Sequence, residues 1–444
     1  MADTIKIHPL TRIEGHAELK LYLTGNGDVK NAEFKIYGPI RGFEVFLCGN
    51  PGEDVPRLAT RICGICFTPH MIAAVKAIES AWEVEPPEDA VKLRKLMLLA
   101  NNLQSHALHY VMLAAPDFLC SPYRKGGLAD LIKQDKELVE AGIVLRQVGQ
   151  RITQILGGRA IHPVTAIPGG MTKSLKEEEA SEIRQLLKNA WAAFDVVKER
   201  TWTIIDKCRD MAESFEDIKS DFLYLEQKNN LNFYDADLRL MDKKGNVAAI
   251  GERDYESRLR KLTLDYSFVE QSYLDGMDPY NPVRVGPLAR INKASWSNEM
   301  MKDFTKTFGR PAQNSFAFNI ARPIEMEESI KGMQEILDEG IGSHIRDIVK
   351  PQVGTGVGFV EAPRGLLYHS YTTDWNGTVT RATIITSTQQ NQLPIEKSAE
   401  AIAKKYITGE NSNVREETLN KVEMVIRAYD PCVSCALRIV KLKE

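Results

Sequence analysis

Two Cys-x-x-Cys pairs carry the strongest chemical signal in this chain: Cys63-Gly64-Ile65-Cys66 and, near the end, Cys432-Val433-Ser434-Cys435. Such a loop can aim two sulfurs at one ion, and four thiolates together suit soft or borderline metals: zinc, nickel, copper(I) or iron–sulfur clusters. The first pair sits just before a predicted helix start, where the helix dipole favours thiolate over thiol. Three plainer readings compete. A structural zinc site usually keeps its pairs within ~15–20 residues, whereas these are 369 residues apart (432 minus 63). A thioredoxin-like redox motif needs a βαβ setting that neither pair has. Two unrelated structural pairs are the third. The cysteines alone leave all of these open.

The wider context of the pairs narrows the choice. The first lies in Arg61-Ile62-Cys63-Gly64-Ile65-Cys66-Phe67-Thr68-Pro69-His70, and the second follows Asp430-Pro431. Thr11-Arg12-Ile13-Glu14-Gly15-His16 precedes them, and Glu361-Ala362-Pro363-Arg364-Gly365 lies between them. These four motifs, in this order, resemble those of nickel–iron hydrogenase large subunits, over essentially the whole chain. Arg41-Gly42-Phe43-Glu44 and the stretch from Ser105-His106-Ala107-Leu108-His109 to Ala114-Ala115-Pro116-Asp117-Phe118 further resemble the methyl-viologen-reducing branch.

The resemblance implies a nickel–iron centre with carbon monoxide and cyanide on the iron. Cys63 and Cys432 would be terminal nickel ligands, and Cys66 and Cys435 would bridge the metals. It implies an enzyme that splits H2 heterolytically and reversibly, which needs a hydride acceptor and a proton acceptor side by side. Glu14 would pass the proton onward, since a partly desolvated carboxylate has its pKa raised toward the working range. The competing reading is a Glu14–Arg12 salt bridge. Arg364, beside Pro363, would face the open position between the metals through its planar fork of donors. Its competing reading is an ion pair with Glu361. Asp117 and Asp430 would orient Arg364, and His70 would hydrogen-bond a cysteine sulfur. Glu44 would help bind a separate structural ion, magnesium or iron. The sequence departs from the family there: where many relatives place a histidine ligand, Arg438 stands, and a guanidinium is no ligand.

Partners follow from the same comparison. All four paired cysteines are consumed, and none remain in cluster spacing for electron export. An iron–sulfur small subunit is therefore expected, with heterodisulfide reductase-like or flavin modules beyond it. A complex I-like quinone-reductase subunit is the alternative of related fold, but it lacks the metal-binding cysteines. A non-catalytic H2 sensor shares the motifs and stays open. Most relatives lose a C-terminal extension to a protease. The six residues 439–444 are short for one, so maturation without cleavage is expected.

The elements that must position these residues read as α+β and mainly helical, a long-helix bundle with a small N-terminal antiparallel sheet and peripheral strands. Ala17, Leu19, Leu21 and Leu23 alternate with Glu18, Lys20 and Tyr22 before a Gly25-Asn26-Gly27 turn, and Ala32, Phe34 and Ile36 alternate again. Thr68-Pro69 reads as an N-cap and first turn leading into a helix at 71–83. Further helices are predicted at 90–112, 135–156, 174–215, with Ser174 and Glu177 as a capping box, and 324–337. Residues 351–393 read as strand and loop. No boundary appears, so residues 1–444 form one expected domain.

Cys48, Cys120 and Cys208 stand alone and read as buried structural thiols. The odd total of seven cysteines, in a large chain with no apolar leader after Met1, argues against a disulfide framework. A net charge of -3 offers nothing to nucleic acid. No apolar run approaches the ~18 residues of a membrane span. The expected location is cytoplasmic.

Overall fold

The computed structural model describes residues 4–38, 42–120, 127–213, 218–228, 231–409 and 414–436. Arg41, Arg438 and the final segment lie outside them. Helices dominate, with several small sheets around them, as the sequence pattern predicts. The N-terminal alternation forms Ala17–Leu23 and Val29–Ile36, paired antiparallel with Leu19 facing Phe34. Leu19 and Leu21 are buried, and Leu23, past a register shift at Tyr22/Leu23, is partly buried against the same core. An outer strand, Thr4–Ile7, completes the sheet.

Four long helices make the bundle. Glu88–Ala107 packs on Lys136–Gly157 and on Ala317–Glu339, and Lys136–Gly157 packs on the 37-residue Glu177–Glu213. Leu96, Leu103, Leu145, Ile152, Ile183, Leu187, Ile320 and Ile330 fill the space between them. Several predicted limits shift. The longest helix begins at Glu177, because the Glu179 carboxylate accepts the Lys176 N–H and caps it there; Ser174 is outside. The 90–112 helix turns into a π-helical segment at Leu108–Ala114. The 324–337 helix starts earlier, at Ala317, and passes through Pro323. An interior proline costs ~3 kcal/mol or more, and burial of this helix on nearly all sides outweighs that. Past Ile385 the chain is helical again, at Ser387–Gln390 and Gln392–Tyr406. Its polar run misleads a pattern reading because Gln390, Asn391 and Gln392 turn inward to bond the backbone of Leu366, Val285 and Phe34.

The first cysteine pair depends on one close contact. Phe67–Trp82 is buried on almost every side and lies across the strand Gly354–Ala362. That strand pairs antiparallel with Gly365–Thr373, which pairs with Val379–Ile385. Gly354, Gly356 and Gly358 face the helix. A Cβ on Gly358 would lie 2.1 Å from the Ala73 carbonyl oxygen, and one on Gly356 would lie 2.1 Å from the Ala81 nitrogen. Backbone therefore meets backbone, and this seats the helix whose start carries Cys66. Gly358→Ala must push the two apart. The expected cost is ~1–3 kcal/mol or more, seen as a lower urea midpoint; an unchanged midpoint would show that the contact is dispensable.

Candidate metal centre

The two cysteine pairs meet. Their four sulfurs all lie within 4.8 Å of one another, and all four residues are buried. The Sγ–Sγ separations are 3.4 Å for Cys63–Cys432, 3.1 Å for Cys66–Cys435 and 2.9 Å for Cys432–Cys435. Disulfide sulfurs sit at ~2.05 Å, so these are four free thiols grouped around one point. This excludes unrelated structural pairs and a two-cysteine redox motif. Among the described residues it is the one group of Cys, His, Asp and Glu arranged to hold a metal.

Local structure holds each pair. Cys66 is the N-cap of Phe67–Trp82, where the sequence suggested Thr68. The Ile65 and Cys66 N–H groups donate to the Cys63 sulfur at 3.3 and 3.2 Å, and Asn101 Nδ2 donates to the Ile65 carbonyl. Cys432 leaves the helix Glu416–Ala428 through Asp430, whose φ of 55° turns the chain back toward the first pair. The Cys432 N–H donates to Thr388 Oγ1 at 2.9 Å. Burial pushes the Cys63 thiol up, but hydrogen bonds from the other sulfurs and the Arg364 charge lower it well below its usual value overall. Contact with Cys435 lowers Cys432. Cys66 is raised, through its contact with Cys432 first, and Cys435 is raised, by burial first.

Glu14 reaches this group from the N-terminal loop. Its backbone forms a parallel bridge with Cys432, and the Val433 N–H donates to its carbonyl at 3.2 Å. Gly15, at φ +87°, permits the crossing: a Cβ there would lie 2.6 Å from Val433 Cβ. The Glu14 carboxylate accepts the Ser434 hydroxyl and N–H, not Arg12. Burial and the Cys432 charge push its pKa up to about 7, against the pull of Ser434 and Arg364.

Arg364 lies buried beside the sulfurs, in the tight turn between two paired strands. Its Nε donates to the Asp430 carbonyl at 2.8 Å and its Nη2 to Asp430 Oδ1 at 3.0 Å. Burial opposes its charge, but Asp430 and the thiolates of Cys432, Cys66 and Cys63 hold the proton well above the usual range. Burial in turn lifts Asp430 to about 6. Glu361 is not its partner. Glu361 is bound by Arg290 at 2.6 Å, which also forks onto Glu325 and reaches the Pro363 carbonyl at 3.3 Å. His106 caps that cluster, bonding Glu325 at 2.8 Å.

Asp117 is a correction. Its oxygens accept from Arg12 and, at 2.8 and 2.9 Å, from Arg427, while Arg364 bonds Asp430 and Ser105 instead. Arg427 also binds Glu423, which accepts the Thr11 hydroxyl. Asp117 therefore bolts the N-terminal loop to the C-terminal helix. His70 is buried with its Nδ1 3.0 Å from His369 Nε2, and His369 Nδ1 is 2.7 Å from Tyr371 Oη. Glu44 stands outside the thiol group and accepts the Ile384 N–H at 2.8 Å. Among the described residues it belongs to no group of three or more His, Cys, Asp or Glu side chains placed to hold a metal. Of the lone thiols only Cys208 is buried; Cys48 and Cys120 are partly exposed. Sequence reasoning missed Thr388, Ser434, Arg290, Glu325 and His369. Ser434 alone had a signal, as the hydroxyl inside a cysteine loop.

Comparison with known proteins gives this geometry a class. A model described as nickel-dependent hydrogenase matches residues 41–121 and 221–438, and one described as HoxL-like matches residues 4–37. The F420-non-reducing hydrogenase vhu of Methanocaldococcus jannaschii contributes a relative that is 37% identical, with 90% of this chain and 98% of the relative covered. The beta subunit of the NAD-reducing hydrogenase HoxS of Cupriavidus necator is 30% identical, covering 98% and 95%. The crystal structure of an NAD+-reducing [NiFe]-hydrogenase in the H2-reduced state superposes with a TM-score of 0.91 at 29% identity, over 99% of this chain and 100% of that one. The chain belongs to the nickel-dependent hydrogenase family, as its large subunit. Its activity is that of an oxidoreductase acting on H2.

The Asp117 bolt is testable. Asp117→Ala strands the Arg12 charge and half-strands Arg427. Breaking a buried pair typically costs ~3–5 kcal/mol. Denaturant unfolding should show a loss of that order, and a loss near zero would remove the bolt from the account.

Proposed function

We propose that the four thiols hold a nickel–iron centre at which H2 is split or formed, with Glu14 carrying the proton. The convergence of four buried sulfurs from both ends of the chain, with one carboxylate and one guanidinium beside them, carries this reading. The donor set fits the group, since sulfur suits nickel and low-spin iron better than hard cations. Carbon monoxide and cyanide on the iron are part of the proposal. When bound, such a centre would supply the hydride acceptor and the redox-active metal that the reaction needs.

The chain's own residues do the rest. Glu14, with a pKa near 7, can take a proton on a carboxylate oxygen and release it at neutral pH. Gly15 and His16 beside it are exposed, so the loop leads toward solvent. Arg364, held by Asp430, presents a fixed positive fork to the site, while Arg290 holds the Pro363 carbonyl. His70 lines the start of the helix that carries Cys66, steadied by His369. Electrons must leave through another chain, because Cys48, Cys120 and Cys208 are solitary. An iron–sulfur small subunit fits this need, with further electron-transfer subunits beyond it. Among the described residues no helix is long and apolar enough to cross a membrane, and a cytoplasmic site of action is proposed.

Two outcomes are expected. The purified complex should contain nickel and iron, and show infrared bands of carbon monoxide and cyanide between the protein amide region and the water stretch. Cys435→Ser should lose both metals and activity; zinc alone, without those bands, would end the proposal. Glu14→Gln keeps shape but cannot ionise. H2 turnover should fall by ~10²–10⁴-fold with the infrared bands intact, and wild-type turnover would refute its role.

A further inference from the structure

We infer that Ser434 is a positioning residue for Glu14, gripping both of its carboxylate oxygens and so fixing them relative to the cysteines on either side. The inference rests on the role proposed for Glu14 above. The Ser434 N–H donates to Oε2 at 3.0 Å, and its hydroxyl donates to Oε1 at 2.5 Å. The hydroxyl oxygen also lies 3.9 Å from the Cys432 sulfur. It therefore stands between a sulfur of the centre and the carboxylate.

The arrangement is more than a loop contact. Of the four residues inside the two cysteine loops, Gly64, Ile65, Val433 and Ser434, only Ser434 has a side-chain hydroxyl. The backbone beneath is pinned by the bridge between Glu14 and Cys432 and by the Val433 N–H on the Glu14 carbonyl. The carboxylate could otherwise rotate about its last torsion, which is broad and soft. One backbone N–H holds a single oxygen; the hydroxyl adds the second point that stops rotation. Arg12, the nearest cation in sequence, is spent on Asp117 and Leu113. A misplaced transfer group is costly, since a 1 Å error can lower a rate ~10²-fold.

The test uses the purified nickel-loaded complex carrying Ser434→Ala, Ser434→Thr or Glu14→Gln. Nickel content, H2-dependent dye reduction and the infrared carboxyl band of Glu14 are measured, the band being assigned by its loss in Glu14→Gln. Ser434→Ala should keep its nickel, shift the band and lose roughly 10–100-fold in rate. Ser434→Thr restores the hydroxyl and should restore both band and rate. Full turnover in Ser434→Ala would overturn the inference. So would a lost rate with an unshifted band, or loss of nickel from both Ser434 variants. If Glu14→Gln is inactive while Ser434→Ala is unaffected, only the Ser434 role falls. If Glu14→Gln itself turns over normally, the proton-carrier reading falls as well.

Discussion

Four sulfur atoms from opposite ends of the chain share one small buried volume, and most of the molecule is organised around bringing them there. Thiols crowded to about 3 Å repel as they ionise, so the loops do not collect by attraction of their own. Each is carried by a rigid element. One pair rides on the start of a helix pressed backbone to backbone against a strand. The other follows a helix whose Arg427 and Glu423 are tied to Asp117 and Thr11.

Charge burial follows the same logic. A guanidinium in the interior is costly unless it is paired and hydrogen-bonded. Arg364 has Asp430, Arg290 has Glu325 and Glu361, and Arg427 has Asp117 and Glu423. Of these, Arg364 lies against the thiol group. Arg290 fixes the turn at Pro363 and Arg364 the turn at Asp430. Glu14 differs from them: its partners are a hydroxyl and an N–H, not a cation. Burial and the Cys432 charge lift its pKa to about 7. Burial likewise lifts Glu361 to about 7 and Asp430 to about 6 despite their arginines, whereas Glu325, forked by Arg290 and bonded by His106 against the cost of burial, is held at about 2.

Some features are local and legible in the residues. Alternation of Leu19 and Leu21 with polar neighbours shows a half-buried strand, because side chains alternate between its faces. Repeats such as Ile183, Leu187, Ala190, Phe194 and Val197 show a helix for a similar reason. Boundaries fare worse. Ser174 looks like a cap until Glu179 is seen holding Lys176, and Pro323 looks like a stop until its helix is seen buried.

The sequence by itself determined the two cysteine pairs, the order of the motifs, the family they resemble and the mainly helical class. Those depend on residue type and short-range spacing, which sequence records directly. Tertiary structure alone decided the partners. Asp117 was expected near Arg364 and instead holds Arg12 and Arg427; Glu361 went to Arg290; Ser434 went to Glu14. Pairing between residues hundreds of positions apart is set by which elements pack together, and a buried ionic group takes the counter-ion that packing brings within reach. No local spacing encodes that.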